Sequence, residues 1–430
     1  MQTPPLSDFE SMTVKSLLDS RSNIELHGRS YRLPSIPSVV VCVDGFDPEY
    51  LDRAVEDGIV PNLARFQERG FHAQAKCAMP SLTNPNNVSI VTGAPVSVHG
   101  ILGNYFLDRA TGEEEMITDD TLLRGSTILE LMSKRGVRVA AVTAKDKLRA
   151  ILAHGLGSDA MCFSAQNASK CTRSDHGIDD VEAWLGQRQP SQYSGELSMF
   201  VLDAGIKLLE EDRADLFYLT LSDYIQHKYG PGSKESNEFL IQLDQRLGKL
   251  VELGAQVVVT GDHGMSEKCN PDGTPNVLFL EDAIAEKWGP GTARVICPIS
   301  DPFVKHHGAL GGFVRVYLLQ HIDKQDEIVQ YCRTLPQVEM ALGSREAART
   351  FELAVDREGD IVVVAKKDAV IGSRKAEHDL SNLGEHRLRS HGGLSEQNVF
   401  LLMSRPAERA SADVARIWRN FDAFDLLLNR

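Results

Sequence analysis

The sequence predicts an α/β fold with a mostly parallel central sheet flanked by helices. Three observations predict it. Short apolar runs rich in β-branched residues recur, as strands buried on both faces require. Amphipathic stretches of helical period separate them. Several of the apolar runs end abruptly in Asp or Asp-His, at the strand ends where parallel sheets gather ligands.

Residues 1–37 are polar and hold four prolines, and they read as an N-terminal arm. PSVVVCVDGFD then gives a strand ending in Asp44. YLDRAVEDGIVPNLARFQERG has helical periodicity and stops at a glycine, a C-cap signal. STILELMSKRG reads as a helix, VRVAAVTA as a strand and MFVLDAGIKLLEEDRA as a helix. DLFYLTLS is a strand, NEFLIQLDQRLGKLVELG a long helix, and AQVVVTGDHG a strand running into Asp262 and His263. Strands alternating with helices make a parallel sheet the expected core.

The pattern changes after about Lys268. FVRVYLLQ, VEMALG, FELAVDREGD and IVVVAK read as short strands, with KQDEIVQYCRTL and SREAARTF as helices and DREGDI as a hairpin turn. The expected organisation is therefore a catalytic core of residues 38–267 and 385–430, interrupted by an α+β cap insertion at 268–384. NVFLLMS rejoins the main sheet.

Composition narrows the function. Lys+Arg 46 against Asp+Glu 60 leaves a net charge of −14. Non-specific nucleic-acid binding needs a basic face, so no nucleic acid is expected. An anionic substrate stays compatible, because bound cations and local lysines set the field in a pocket. Seven cysteines without CxxC pairs do not make a disulfide framework, which points to a reducing, cytoplasmic setting. The N-terminus shows no basic region followed by an apolar one, and no apolar run reaches the roughly 18 residues of a membrane span.

The strand ends carry the chemistry. Asp44 ends one strand. Asp223 ends another, with His227 one helical turn later. Asp262 and His263 end a third, and His391 stands in SHGG. Taken singly, each has a plain explanation: an Asp after a strand caps a helix, and Asp-x-x-x-His is an i,i+4 pair. Together they supply three Asp and three His where a parallel sheet would collect them. These are ligand types for zinc or a similar divalent metal, and six ligands exceed one tetrahedral ion, so two ions are expected.

AMPSLTNPNNVSIVTG places Thr83 at the start of a probable helix. Its hydroxyl is either a cap or a nucleophile facing the positive helix end, where a metal would lower its pKa. Asn86, one turn on, could donate to a phosphoryl oxygen.

This order of residues resembles the alkaline phosphatase superfamily, closest to its nucleotide pyrophosphatase/phosphodiesterase-like branch: Asp44, Thr83 in PSLTNPNN, Asp223-x-x-x-His227, Asp262-His263-Gly264, then His391 in SHGG. The resemblance implies an alkaline phosphatase-like core. It implies one zinc on Asp44, Thr83, Asp262 and His263, a second on Asp223, His227 and His391, and a phosphoryl-binding role for Asn86.

Position 84 is Asn, not the aromatic residue usual in nucleotide-cleaving members, which speaks against a nucleotide. Lys145 and Lys147 in VTAKDKLRAILAHG would project to one side of an extended turn and suit a substrate carboxylate. VTAKDKLRAILAHG, FSAQNA and DPFVKHHGALGGFVRVYL together look like the phosphonoacetate hydrolase family, in which two lysines on this turn bind the carboxylate. The resemblance thus implies cleavage of the carbon–phosphorus bond of phosphonoacetate through a phospho-threonine. His306 and His307 receive no role. A broader phosphodiesterase or phosphonate monoester hydrolase is the alternative, with a mutase or a metal-free scaffold behind it. The expected partner is a small-molecule substrate, with no membrane. The oligomeric state stays open, a homodimer being one option.

Overall fold

The computed structural model describes residues 23–299, 309–384, 386–407 and 416–430. His306 and His307 lie outside them. The main sheet has eight strands: β1 (Ser38–Val43), β2 (Phe71–Lys76), β3 (Val139–Thr143), β4 (Met161–Ser164), β5 (Leu216–Thr220), β6 (Gln256–Gly261), β7 (Asn398–Met403) and β8 (Trp418–Arg419). Their spatial order is β8-β2-β7-β6-β1-β5-β3-β4. Pairing is parallel from β6 across to β4. Only β7 runs against its neighbours, β6 and β2.

The continuous apolar runs are explained by burial on both faces. Val39, Val41 and Val43 of β1 enter one core with Phe217 and Leu219 of β5 and Val257 and Val259 of β6. Helices Pro48–Glu56, Pro61–Arg69, Glu196–Glu210 and Lys234–Glu252 cover that side with Leu51, Phe66, Leu202 and Leu243. Val40 and Cys42 point the other way, toward Ile128, Leu152 and Phe424. At roughly 1.5–3 kcal/mol per fully buried aliphatic side chain, these two layers are the main stabilising term, and they fix the strand ends rigidly.

The helical stretch after β1 is two helices, because Pro61 opens a second one after the Asp57–Val60 break. Residues 23–32 form a hairpin, Asn23–Leu26 with Arg29–Arg32, whose Tyr31 is fully buried against the second core. Nothing in the polar N-terminal composition signalled it.

A second, antiparallel sheet has the order Ala293–Ile296, Phe313–Leu318, Ile361–Ala365, Val338–Gly343. The expected strand at FELAVDREGD is absent. Phe351 ends the helix Ser344–Phe351, Glu352 caps it at φ +54°, and Val355–Arg357 is a short 3-10 turn. Its strand-like alternation has another cause: Leu353 and Ala354 are buried where the chain leaves the helix, while Val355 is exposed. DREGDI is accordingly not a hairpin turn.

Candidate active site

The carboxyl ends of β1, β5 and β6 deliver Asp44, Asp223 and Asp262-His263 to one place, as the parallel register requires. Asp223 caps the short helix Tyr224–Lys228, and His227 follows one turn later, its amide donating to the Asp223 carbonyl at 3.0 Å. His391 comes from far along the chain. A two-residue ladder, Ser266 with Ser390 and Glu267 with Arg389, seats it beside His263. Gly392 then turns at φ +113°, a conformation left to glycine. An ideal Cβ at Gly312 would stand 2.5 Å from the Gly393 amide nitrogen, so the glycine pairs of ALGGF and SHGG are what let these two backbones meet.

The six polar side chains are nearly sealed from solvent, none above 4% exposed. His227 Nδ1 lies 2.9 Å from the Arg389 carbonyl, His263 Nδ1 2.8 Å from that of Gly264, and His391 Nδ1 2.8 Å from that of Ser81. A carbonyl only accepts, so each Nδ1 carries a proton and each Nε2 turns its other side inward. There the Nε2 atoms meet carboxylates. His227 Nε2 is 2.8 Å from Asp223 Oδ2, His263 Nε2 is 3.2 Å from Asp44 Oδ1, and His391 Nε2 is 3.9 Å from Asp223 Oδ2. The His263 and His391 rings stack at 3.6 Å.

Imidazole nitrogens facing carboxylates in a dry pocket are satisfied by a shared proton or by a metal cation between them. Asp44 Oδ1 is buried without a hydrogen bond. Burial and the neighbouring Asp44 push the Asp262 carboxyl well above its usual range. His263 loses basicity to burial but gains more from Asp262 and Asp44, reaching about 10. His391 is held well below an ordinary imidazole by burial and by His263 and His227. The donor set fits divalent metal. Asp223, His227 and His391 bring ligand atoms within 4.8 Å of one another, as do Asp44, Asp223 and His263. Asp262 borders the second group, its Oδ2 3.8 Å from His263 Nε2. Its carboxylate also accepts from the Gly45 and His263 amides and from Asn87 Nδ2.

Thr83 is the first residue of the helix Thr83–Thr92, with its Oγ1 3.4 Å from His263 Nε2. Thr83, Lys145, Lys147, Asp44, Asp223 and His391 line one cleft. Lys145 ends the extended turn after β3, but Lys147 belongs to the helix Asp146–Leu152. The two ammonium groups therefore share the cleft through a strand-to-helix turn, not through extended alternation.

Asn86 is a correction. It is fully buried, and its amide is consumed by the loop before Thr83. Oδ1 accepts from the Ala78 amide and from Asn420 Nδ2; Nδ2 donates to the carbonyls of Ala78, Pro80 and Leu82. It does not line the cleft. Asn84 and Asn104 do. Asn104 Oδ1 accepts from the Asn84 amide at 3.4 Å, which leaves the Asn104 NH2 as the donor end of that side chain. Asn104 stands in ILGNYF with no motif around it, so only the fold brings it to Thr83.

Residues 38–393 match the type I phosphodiesterase / nucleotide pyrophosphatase family, and the chain belongs to that family. Inside it, the phosphonoacetate hydrolase of Sinorhizobium meliloti 1021 has crystal structures with phosphonoformate and with phosphonoacetate. They are 47% and 46% identical to this chain, with a TM-score of 0.90 for each, covering 94% of this chain and 98% of theirs. The chain groups with the phosphonoacetate hydrolases, as a hydrolase of the alkaline phosphatase superfamily. The phosphonoacetate hydrolase of Penicillium oxalicum is 46% identical over 72 residues, 17% of this chain and 89% of that sequence. An uncharacterized pyrophosphatase/phosphodiesterase of Schizosaccharomyces pombe is 26% identical over 294 residues, 62% of this chain. The match spans about half of that relative, 53% of its length. Among the described residues, no helix is long and apolar enough to cross a membrane.

Proposed function

We propose that the protein hydrolyses the carbon–phosphorus bond of phosphonoacetate, giving acetate and phosphate, with two zinc ions held in the buried Asp/His cluster. The carrying observation is the pairing, in one cleft, of Thr83 and the cluster with Lys145 and Lys147. Similarity to the phosphonoacetate hydrolases supports the same substrate.

In this reading Asp44, Thr83, Asp262 and His263 hold one ion, and Asp223, His227 and His391 hold the other. The ions supply Lewis acidity: they favour ionised oxygen at Thr83 and offset charge on the phosphonate. Thr83 Oγ attacks phosphorus, the new O–P bond forms, and the P–C bond breaks with its electron pair passing to the CH2 carbon and on into the carboxylate. Lys145 and Lys147 bind that carboxylate and gain most as its charge grows, which is where stabilisation lowers a barrier. The enediolate takes a proton and leaves as acetate. Water then attacks the phospho-threonine, the Oγ–P bond breaks, Thr83 regains its proton and phosphate departs. Asn104, replacing Asn86 in this role, donates to a phosphoryl oxygen. The second sheet acts as the cap: Ile299, just past its Ala293–Ile296 strand, forms part of the cleft wall.

The test compares phosphate release from phosphonoacetate and methylphosphonate with cleavage of p-nitrophenyl phenylphosphonate, using zinc-loaded protein. The expected result is turnover of phosphonoacetate and not of methylphosphonate. A Lys145→Ala/Lys147→Ala variant then loses phosphonoacetate cleavage and keeps the aryl ester. An enzyme that cleaves the ester and leaves phosphonoacetate untouched is a broader phosphonate monoester hydrolase or phosphodiesterase, and the substrate claim fails.

A further inference from the structure

The segment that carries Asn104 is held from outside the cleft. Immediately after Asn104 the chain forms a hairpin, Tyr105–Leu107 with Glu114–Met116. Its base closes on Asn104 itself: the Ile117 amide donates to the Asn104 carbonyl at 2.9 Å. Both ends of the hairpin also touch Asn84, whose Nδ2 donates to the Ile117 carbonyl at 3.4 Å and whose amide donates to Asn104 Oδ1. The hairpin is thus hydrogen-bonded directly to the neighbour of Thr83.

The far part of this hairpin is gripped by Arg294. Its guanidinium forms a fork on Glu114, Nε to Oε1 and Nη2 to Oε2, the latter at 2.9 Å. Nη1 is held in turn by Glu281 Oε2 at 3.1 Å and Glu377 Oε2 at 2.8 Å. Tyr105 OH donates to the same Glu114 Oε2 at 3.0 Å. The Arg294 and Glu114 side chains are only 20% and 24% exposed, so the fork is largely shielded. Arg294 sits on the strand Ala293–Ile296 of the second sheet. Two residues past that strand, the Pro298 carbonyl accepts the Asn104 amide at 2.7 Å. The strand and the residues just past it therefore hold Asn104 twice, through the Pro298 carbonyl and through the Arg294–Glu114 fork.

We infer that Arg294 is a positioning residue for the phosphoryl-binding amide of Asn104, acting through Glu114 and the hairpin between them. A planar, bidentate guanidinium–carboxylate fork fixes direction as well as distance, which a point charge does not. Loosening it lets the hairpin rock about Asn104 and misaim the donor. The inference rests on the proposed role of Asn104, and the experiment separates the two.

The experiment is a double-mutant cycle of Arg294→Met with Asn104→Ala, read by kcat/KM and by the Kd for inorganic phosphate from calorimetry on the zinc-loaded protein. Each single change is expected to lower kcat/KM by about 10- to 100-fold and to weaken phosphate binding. Once Asn104 is gone, the Arg294 change is expected to cost less than about threefold more. Arg294→Lys recovers little, and Glu114→Gln, a milder change should the first variant fold poorly, repeats the Arg294 effect. Equal fold-losses from Arg294→Met with and without Asn104 mean a merely structural residue and overturn the inference. So does an Asn104→Ala protein that binds phosphate as well as wild type, since nothing is then being positioned. If phosphonoacetate is not a substrate, the phosphate Kd values of the same four proteins still distinguish coupling from independence.

Discussion

Lys145 Nζ lies 3.2 Å from Asp223 Oδ1, while Oδ2 of the same carboxylate faces His227 at 2.8 Å. One Asp thus joins a proposed carboxylate-binding lysine to a proposed metal cluster. Burial opposes the Asp223 charge, yet Lys145 first and His227 next hold its carboxyl well below the usual range. Lys145 is therefore tied electrostatically to the cluster through Asp223. Lys145→Met removes a positive charge from beside the Asp223/His227/His391 cluster and is expected to tighten zinc there on the order of tenfold. Competition with a chromophoric chelator measures it, and a zinc affinity equal to that of wild type refutes the coupling.

Asn86 and Asn104 separate stability from chemistry. Asn86→Ala strips partners from the Ala78 amide and three carbonyls inside the protein, a loss of about 2–4 kcal/mol. Asn104→Ala removes a donor from the cleft and is expected to cost about 10²-fold in kcat/KM with little change in Tm. Thermal melts beside steady-state rates decide the matter. A stable Asn86→Ala protein with a selective loss of rate reverses the assignment.

His99 predicts an acid limb of stability. It is fully buried, accepts from the Ile101 amide through Nδ1 at 3.2 Å, and so presents Nε2–H to Ser89 Oγ at 2.8 Å. Burial, with His27 and Arg357 adding, depresses its pKa from 6.5 to about 3. The unfolded chain binds this proton between those values and the folded one does not. The stabilisation is therefore complete above about pH 6.5 and drains away as pH falls toward 3, at about 1.4 kcal/mol per pH unit. Urea titrations from pH 7 to 4 on wild type and His99→Gln test it. The variant should lose this part of the slope, and parallel curves rule it out.

Metal removal should act on folding as well as on rate. The cluster sets buried carboxylates and imidazoles against one another, so a chelated protein keeps like groups crowded at the ends of β1, β5 and β6. Chelation is expected to abolish turnover and lower Tm. Zinc at about 1,000-fold over its Kd returns roughly 4 kcal/mol. An unchanged Tm on chelation counts against a structural share for the ions.

The central strands were legible because they are buried on both faces, which leaves no alternation and much Val: SVVVCV and QVVVTG could hardly be anything else, whereas β2, whose burial alternates, was not read. The placement of Asp44, Asp223, Asp262 and His263 followed, since parallel register aligns strand ends, whereas His391 is seated by the antiparallel pairing of Ser266 with Ser390. The hairpin at Asn23–Arg32 and the strand at Ala293–Ile296 were missed because their pairing is set by distant partners, not by local pattern. FELAVDREGD misled for the converse reason, its alternation arising where a helix ends. Asn86 was misassigned because spacing along a helix says which turn a side chain occupies. It does not say which carbonyls will capture it, and here three do.

The position of β7 orders events on the ribosome. β6 and β2 flank it on either side, and each shows an unpaired edge to the other until residues 398–403 arrive. His391 is synthesised only a few residues earlier. A nascent chain therefore joins β2 to the rest of its sheet and completes its Asp223/His227/His391 cluster almost together. Before that moment Asp223 and His227 lack His391, and the sheet offers its neighbours two open strand edges. Open strand edges and an incomplete cluster thus share one window of vulnerability, which the arrival of residues 391–403 closes.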